Sequence, residues 1–423
     1  PIGINEFLES AVKNDPRFEA LLADEMAAKY KGALSAPVED LLVSAKAEYY
    51  FDYPGMEKQS DEYTVSLSKL FIFTGAQLKA RYSALPSPGG GTASAGISIA
   101  LPLARNAFGH ADRMLSEIAG YESEIAMLQA VEAYEDYMAS VISFYYNWYA
   151  DYSAMKTAEK FLKEAEVLLK NTEERKKSGI AYAVDVNKVK MQYYERKQRQ
   201  LELSRKYNET YTYVKLFISG DKTEYVPDKL SAYSDTAPAE EIAPRSRQIL
   251  ELAVKKAISS ESRAFSMLLP SVSFYGGYET TGSGTGVDLK AGTIYAGIQL
   301  DTPLFPGNRE NADFEIKKYE AVKQKKNGEY GVKTIEEAAR NLMLRIEMQK
   351  SYVELAAQKL NAAEAVLREE RENYSRARIT LNDLINAQNN YYQADYDYIS
   401  AQAVLHKNQV EYLRITDALV RRK

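Results

Sequence analysis

Two stretches of this chain, residues 109–194 and 307–392, match at one constant offset with no gap. Gly109 aligns with Gly307, Asp185 with Asp383, and Tyr193-Tyr194 with Tyr391-Tyr392. A register kept over that length means a rigid, packed element was duplicated, because loops drift in length and packed periodic segments do not. Residues 1–423 are therefore expected to form one pseudo-duplicated unit. Repeat one covers 1–218, a connector covers 219–246, and repeat two covers 247–423.

From His110 to Ser178 there is no proline and one interior glycine, Gly120; residues 308–376 also lack proline, with Gly328 and Gly331 inside. Each stretch, 110–178 and 308–376, reads as a single long helix. About 70 residues rising 1.5 Å apiece extend roughly 100 Å, so other helices must support them sideways. Ala158, Phe161, Leu162, Ala165, Leu168 and Leu169 follow a coiled-coil spacing, repeated by Ala356, Leu360, Ala363 and Leu367. Short breaks at 179–182 and 377–380 precede second helical runs at 183–218 and 381–419, which makes two helical hairpins. The returning runs carry apolar residues on more than one face, as packing within a closed ring of helices requires. Upstream helices are expected at roughly 14–34 and 247–266. The connector holds Pro227, Pro238 and Pro244 and is expected to wrap the outside.

Residues 293–301 alternate cleanly, with Ile294, Ala296, Ile298 and Leu300 on one face and Thr293, Tyr295, Gly297, Gln299 and Asp301 on the other. One face suits lipid and the other water. Residues 271–279 form a weaker partner, and the Gly/Ser/Thr-rich stretch 280–286 is the loop between them. Repeat one shows four such segments, at 41–51, 63–73, 76–84 and 93–101, each close to the 9–11 residues of a tilted membrane strand. The Thr74-Gly75 turn is short, whereas 52–61 and the Pro86–Gly91 stretch are longer, so tight and open ends alternate. Six candidate strands per chain result. Six cannot close a conducting barrel alone, and open edges are a liability, so oligomerisation is expected.

Composition removes several function classes. A net charge of -5 with Lys and Arg interspersed among Glu leaves no basic face, so no nucleic-acid partner is expected. With no cysteine there is no disulfide, thiolate chemistry, Cys-ligated metal or lipid-modified Cys. No apolar run reaches the ~18 residues of a membrane helix, although alternating strands would not produce one. No charged-then-apolar leader precedes Pro1, so an exported chain is expected in processed form. His110 and His406 are the only histidines, read as surface residues, and no metal site is expected. The glycines at 89–91 and 282–286 lack the Lys-Ser/Thr of a phosphate loop, so no cofactor is expected. Phe144, Tyr145, Tyr146, Trp148 and Tyr149 form the densest aromatic cluster and are read as core packing against the connector. No nucleophile–base pair is present, so no catalytic residue is assigned and the chain is expected not to be an enzyme.

In combination these features resemble the TolC-like outer-membrane efflux and secretion channel family over essentially the whole length. Asn14-Asp15-Pro16 before a helix looks like the family's opening segment. Leu101-Pro102-Leu103 and Thr302-Pro303-Leu304-Phe305-Pro306-Gly307 look like its strand-to-helix junctions. Ser178-Gly179-Ile180-Ala181-Tyr182-Ala183-Val184-Asp185-Val186 is similar to its tip turn. The resemblance implies a mainly α fold with a membrane β-barrel segment: a duplicated helix–strands–long helix–helix unit forming an α-helical barrel and a trimer-shared β-barrel. It implies a homotrimer in the outer membrane of a Gram-negative bacterium, the helices in the periplasm. Its partners would be outer-membrane lipid, a periplasmic adaptor and an inner-membrane transporter, with the chain as passive exit duct of a tripartite efflux pump or type I secretion system. The alternative from another class is a soluble coiled-coil scaffold of the cell envelope.

The resemblance also implies roles for particular residues. Tyr374 and Asp383 stand where the family has a gate tyrosine and a constriction aspartate. Asn386 replaces a second aspartate, and Ile379 a gate arginine, with Arg378 and Arg376 adjacent. Ser178, Gly179, Ile180 and Asp185 match the adaptor-contacting tip. Two readings stand for Asp383, and both can hold at once: a carboxylate ring in a pore, or a helix N-terminal cap. Capping alone suffices for Asp185. The segments at 63–84 exceed the family's four strands per chain and are read as two more barrel strands in preference to a hairpin outside the membrane.

Overall fold

A computed structural model describes residues 1–55, 57–86, 90–218, 224–233, 244–302 and 308–419, leaving aside the side chains at 52 and 57–59. The Pro303–Gly307 junction, Pro88-Gly89 and Pro238 lie outside the described residues. In chain order the elements are helices α1 (Ile4–Asn14) and α2 (Pro16–Ser35), strands β1 (Leu42–Asp52), β2 (Glu57–Phe71), β3 (Ala76–Leu85) and β4 (Thr92–Pro102), then helices α3 (His110–Lys177), α4 (Ala183–Phe217) and α5 (Arg245–Met267). Strands β5 (Ser271–Ser283) and β6 (Gly292–Asp301) and helices α6 (Arg309–Ser375) and α7 (Leu381–Ile415) complete it. Contacts divide the chain into two compact units, each drawing on both repeats. One comprises Pro1–Asp24, Ala130–Ser246 and Lys333–Lys423; the other comprises Glu25–Gln129 and Arg247–Val332.

The second unit contains all six strands in one antiparallel sheet of order β1-β2-β3-β4-β5-β6. Register separates two faces without exception through its middle. Val65 pairs with Tyr82, Tyr82 with Ala95, and Ala95 with Thr280 on one face; Ser66 pairs with Arg81, Arg81 with Gly96, and Gly96 with Glu279 on the other. Much of the apolar face is exposed, Ile294 by 82%, Ile298 by 70% and Val43 by 61%, while the β5–β6 loop lies over the part around Tyr82, Tyr278 and Thr280. Its ends are aromatic, with Tyr49, Tyr63, Tyr82 and Tyr278 towards one edge and Phe71 and Phe274 towards the other. Tyr63 to Phe71 spans about 20 Å at a typical strand tilt, close to the ~25 Å apolar band of a membrane barrel. Lys69, on the apolar face, reaches down to the Glu39 carbonyl (3.1 Å), which keeps its ammonium at the rim.

Turn chemistry locks the β2–β3 hairpin to the start of α3. Gly75 and Gly109 both have positive φ (66° and 76°) and meet backbone to backbone, leaving no room for a Cβ on either. Arg113 then donates to the Phe73 carbonyl (2.6 Å). Small residues do the same between helices: Gly32 of α2 lies against Ala119 and Ser123 of α3, and Gly331 of α6 against Leu250 of α5.

The first unit is helical. Of the seam residues, Ala158, Phe161, Ala165, Leu168, Ala356 and Leu367 are buried, and Leu162, Leu169, Leu360 and Ala363 are half-buried. The aromatic cluster is its largest core: Trp148 and Tyr146 are fully buried among Phe7, Ile142 and Val214. Tyr145 donates to the Ile2 carbonyl (2.9 Å) and Tyr146 to that of Ser231 (3.0 Å), so the described part of the connector seals this core. Arg245, opening α5, reaches Glu135 (2.7 Å), Asp417 (3.1 Å) and Glu132 (3.4 Å). Burial and the neighbouring carboxylate of Asp417 push Glu132 above the usual carboxylate range, against the pull of Arg245.

Three expectations need correction, and one helix was not expected. The helix expected over 14–34 is α2, opened by Pro16 after Asp15 accepts the Arg17 amide (3.0 Å), and the amphipathic α1 precedes it. Strand β2 begins at Glu57, well before the apolar alternation starts. Its first turn-side residues are polar, so no period of two marks them. Helix α7 stops at Ile415, where Asp417 adopts φ 56° and the Ala418 amide returns to the Leu413 carbonyl (2.8 Å). His406 is half-buried: it stacks on Tyr146 (5.1 Å), and burial lowers its pKa.

Replacing Gly109 by Ala should destabilise the protein by more than about 2 kcal/mol, through a left-handed backbone and a clash with the β2–β3 turn. Gly120, inside α3 with open space beside it, is the contrast: Gly120→Ala should gain about 0.5–1 kcal/mol. Thermal unfolding midpoints should move in opposite directions. Arg245→Ala, which leaves three carboxylates facing one another, should lower the midpoint most, by about 3–5 kcal/mol in stability.

Candidate functional site

The two hairpin turns of the first unit are built alike. Gly179 (φ 72°) and Ala377 (φ 56°) occupy equivalent left-handed positions. The Ile180 amide returns to the Arg175 carbonyl (2.8 Å), as the Arg378 amide does to Asn373 (2.9 Å). Asp185 accepts the Tyr182 amide (3.1 Å) and Asp383 the Thr380 amide (3.0 Å), so each return helix starts on a capped aspartate. Thr380 completes the box: its hydroxyl donates to Asp383 (2.6 Å) and accepts the Asp383 amide (3.3 Å).

The dressing of the two turns is opposite. Ile180, Tyr182 and Val184 are 66%, 79% and 58% exposed, and the equivalent positions in the second turn are Arg378, Thr380 and Asn382. Conversely, Ala181 and Ala183 correspond to Ile379 and Leu381, which pack inward with Leu168, Val189, Leu367 and Leu384. The first turn presents apolar groups to its surroundings; the second hides them. Ser178 and Gly179 are exposed at the first turn, with Lys176 and Lys177 beside them.

Asp383 and Asn386 lie one turn apart on α7, both exposed, in a stripe continued by Asn382, Asn389 and Asn390. Hydrogen bonds from the Thr380 side chain, then from its amide, hold the Asp383 carboxyl below the usual carboxylate range. Tyr374 is half-buried in the core between the turns, with the Arg175 guanidinium 5.1 Å above its ring. Arg378 is exposed, and Arg376 pairs with Glu372. An open cleft of about 760 Å³ separates α3 from α6 here, bordered by Arg175, Ile180, Tyr374 and Leu384. Deeper between the hairpins, Gln192 donates to Gln388 (2.9 Å), and Arg196 stacks over Tyr392 (4.6 Å) and Phe161 (5.4 Å) while touching Asn389. Sequence reading missed these buried polar residues. Their signal was a lapse in the repeat: Arg196 aligns with Ala394 right after the matched tyrosine pairs.

Among the described residues no helix is long and apolar enough to cross a membrane, and no group of His, Asp and Glu could hold a metal ion. No protein-family profile and no curated protein matches the sequence. Solved structures do match. The outer-membrane channel OprN superposes with a TM-score of 0.76 at 15% identity, covering 98% of this chain and 90% of that one. The open state of the Neisseria gonorrhoeae MtrE outer membrane channel gives 0.73 at 16%, covering 98% and 89%. The outer membrane protein VceC from Vibrio cholerae gives 0.72 at 14%, covering 98% and 95%. The chain has the TolC-like channel fold. That fold here carries six strands per chain in one sheet, where the resemblance implied four.

Gly179→Ala should loosen the first turn by about 1 kcal/mol, and Ala377→Gly should tighten the second by a similar amount, because only the glycine accepts φ > 0 without strain. Hydrogen exchange at the amides of Ile180 and Arg378 would read this: faster in the first variant, slower in the second.

Proposed function

We propose that this chain is an outer-membrane channel of a Gram-negative bacterium, three copies of which form a β-barrel continued by a helical tunnel in the periplasm. The observation that carries the reading is the six-stranded sheet. One face is apolar, aromatic at both rims and largely exposed, and the other is polar, which is what a wall between lipid and water requires. Channels with the same fold in other organisms support it. A soluble scaffold would account for the hairpins but would leave that apolar face in water. Solutes pass without chemical change.

The duct is the exit of a tripartite efflux pump or type I secretion system, driven by an inner-membrane transporter. The first turn, with Ser178, Gly179, Ile180 and Asp185, is the surface that meets a periplasmic adaptor; its exposed Ile180, Tyr182 and Val184 supply apolar area, and Lys176 and Lys177 supply charge. The second turn, polar on its exposed side, lines the water-filled end of the tunnel. Three copies of Asp383 there make a carboxylate ring, with Asn386 as a neutral ring one turn above. The capping role of Asp383 orients its carboxylate and coexists with the ring. Tyr374, clamped under Arg175, ties the second hairpin to the first, and Arg378 flanks the mouth, so these residues form the gate.

In planar bilayers Asp383→Ala should weaken block by multivalent cations about tenfold. Asp185→Ala should leave block unchanged. Because the folded-state pKa of Asp383 is lowered, block should be lost at a lower pH than an ordinary aspartate would give. Equal effects of the two substitutions would refute the inner position of Asp383. Ile180→Asp should abolish efflux in a complemented deletion strain while trimers still assemble; unchanged efflux would count against the adaptor surface.

A further inference from the structure

We infer that the outer-membrane exit of this channel is an eighteen-stranded barrel closed by pairing β6 of one copy with β1 of the next, wide enough that the hairpin turns alone set the size of the cargo. The inference rests on the trimeric channel reading and adds what the extra strands do.

Among the described residues, β1 and β6 each have one strand neighbour, so each leaves a row of backbone donors and acceptors unpaired. The two edges fit each other. Strand number is even, so β6 and the β1 of another copy meet antiparallel like every other pair in the sheet. β1 has 11 residues and β6 has 10. Both present the same faces, Val43, Ala45 and Ala47 on the apolar side with Ile294, Ala296 and Ile298, so the wall continues unbroken.

The β2–β3 hairpin is part of that wall. It lies between β1 and β4 in the sheet, and its lower turn is seated on Gly109 and Arg113 at the foot of α3. Its faces keep the alternation, with Tyr63, Val65 and Leu67 on the apolar side and Thr64, Ser66 and Arg81 on the polar side. Eighteen strands tilted about 40° give a backbone diameter of about 36 Å, against about 24 Å for twelve. Polar-face side chains are short in β4 (Ser94, Gly96 and Ser98) and at Ser66, Ser83 and Gly277, with longer ones at Lys46, Lys79, Arg81 and Glu279. Tyr275 and Tyr295 lie flat across the strand over Gly297 and Gly277 and do not project.

The described part of the β5–β6 loop does not cap the mouth. It folds back onto the apolar face, held there by Tyr82 donating to the Thr285 carbonyl (2.5 Å), Tyr278 to Leu289 (2.8 Å) and Thr280 to Asp288 (2.6 Å). A free bore of about 20–25 Å follows once side chains are allowed for. It admits polypeptide hairpins or helices as well as small amphiphiles.

The chain has no native cysteine, so introduced ones report alone. Ala45→Cys or Ala47→Cys, combined with Ala296→Cys or Ile298→Cys, should give covalent trimers on oxidation of the purified particle for at least one pair. Ser98→Cys, midway up the polar face, should be labelled by maleimide-polyethylene glycols up to about 20 Å across. Excision of Tyr53–Gly91, joining Asp52 to Thr92 at the same end of the sheet, should reduce that limit to about 12 Å; if the excised chain does not fold, labelling of the intact protein decides. An Ala45→Cys/Ile99→Cys disulfide within one chain, or a limit near 12 Å in the intact trimer, would overturn the inference while leaving a conducting trimer as proposed. A particle that is neither trimeric nor conducting would overturn both.

Discussion

The structure depends on a sheet that covers neither of its faces with protein core. A soluble sheet buries its apolar side beneath helices or a second sheet. Here Ile294, Ile298 and Val43 stand largely exposed on a face that is apolar from edge to edge, with tyrosines at one rim and phenylalanines at the other. Two different solvents would satisfy such a sheet, hydrocarbon on one face and water on the other. Glycine-on-glycine contact fixes the β2–β3 hairpin to α3, and small residues hold the helices beside it.

Within the helical unit, duplication explains why the hairpins share one geometry and differ in their side chains. Backbone features are repeated faithfully: a left-handed residue, a return hydrogen bond and an aspartate cap at each turn. Side chains have diverged where the surroundings differ. Ile180, Tyr182 and Val184 against Arg378, Thr380 and Asn382 is a substitution of apolar by more polar groups at three exposed positions, whereas Ala181 and Ala183 correspond to the larger, inward-packed Ile379 and Leu381. Gene duplication supplied the frame, and the environment of each turn selected its chemistry.

Much of this was legible in the sequence because periodicity survives burial on one side. All six strands and both long helices announce themselves by alternation or by absence of proline, and their bounds fall within a few residues of expectation apart from the polar start of β2. That start escaped because a strand beyond the apolar band has no hydrophobic period to show. Helix α1 escaped because it is short, although Ile4, Phe7, Leu8 and Ala11 carry a helical spacing. At the turns, Asp185 and Asp383 were recognisable as caps. Arg196, Gln192 and Gln388 were not, since a polar residue buried between hairpins looks like a solvated one until its partners are known. His406 failed for the same reason, its neighbour Tyr146 lying far away in sequence.

Solvent accessibility along β6 tests whether the sheet separates lipid from water. Single spin labels at 294 through 300 in the reconstituted protein can be relaxed either by oxygen, which partitions into lipid, or by a polar nickel chelate. The account predicts a strict alternation, with oxygen dominant at Ile294, Ala296, Ile298 and Leu300 and the chelate dominant at Tyr295, Gly297 and Gln299. Equal access of the chelate to both sets would mean water on both faces, and would contradict the sheet as a wall between lipid and lumen.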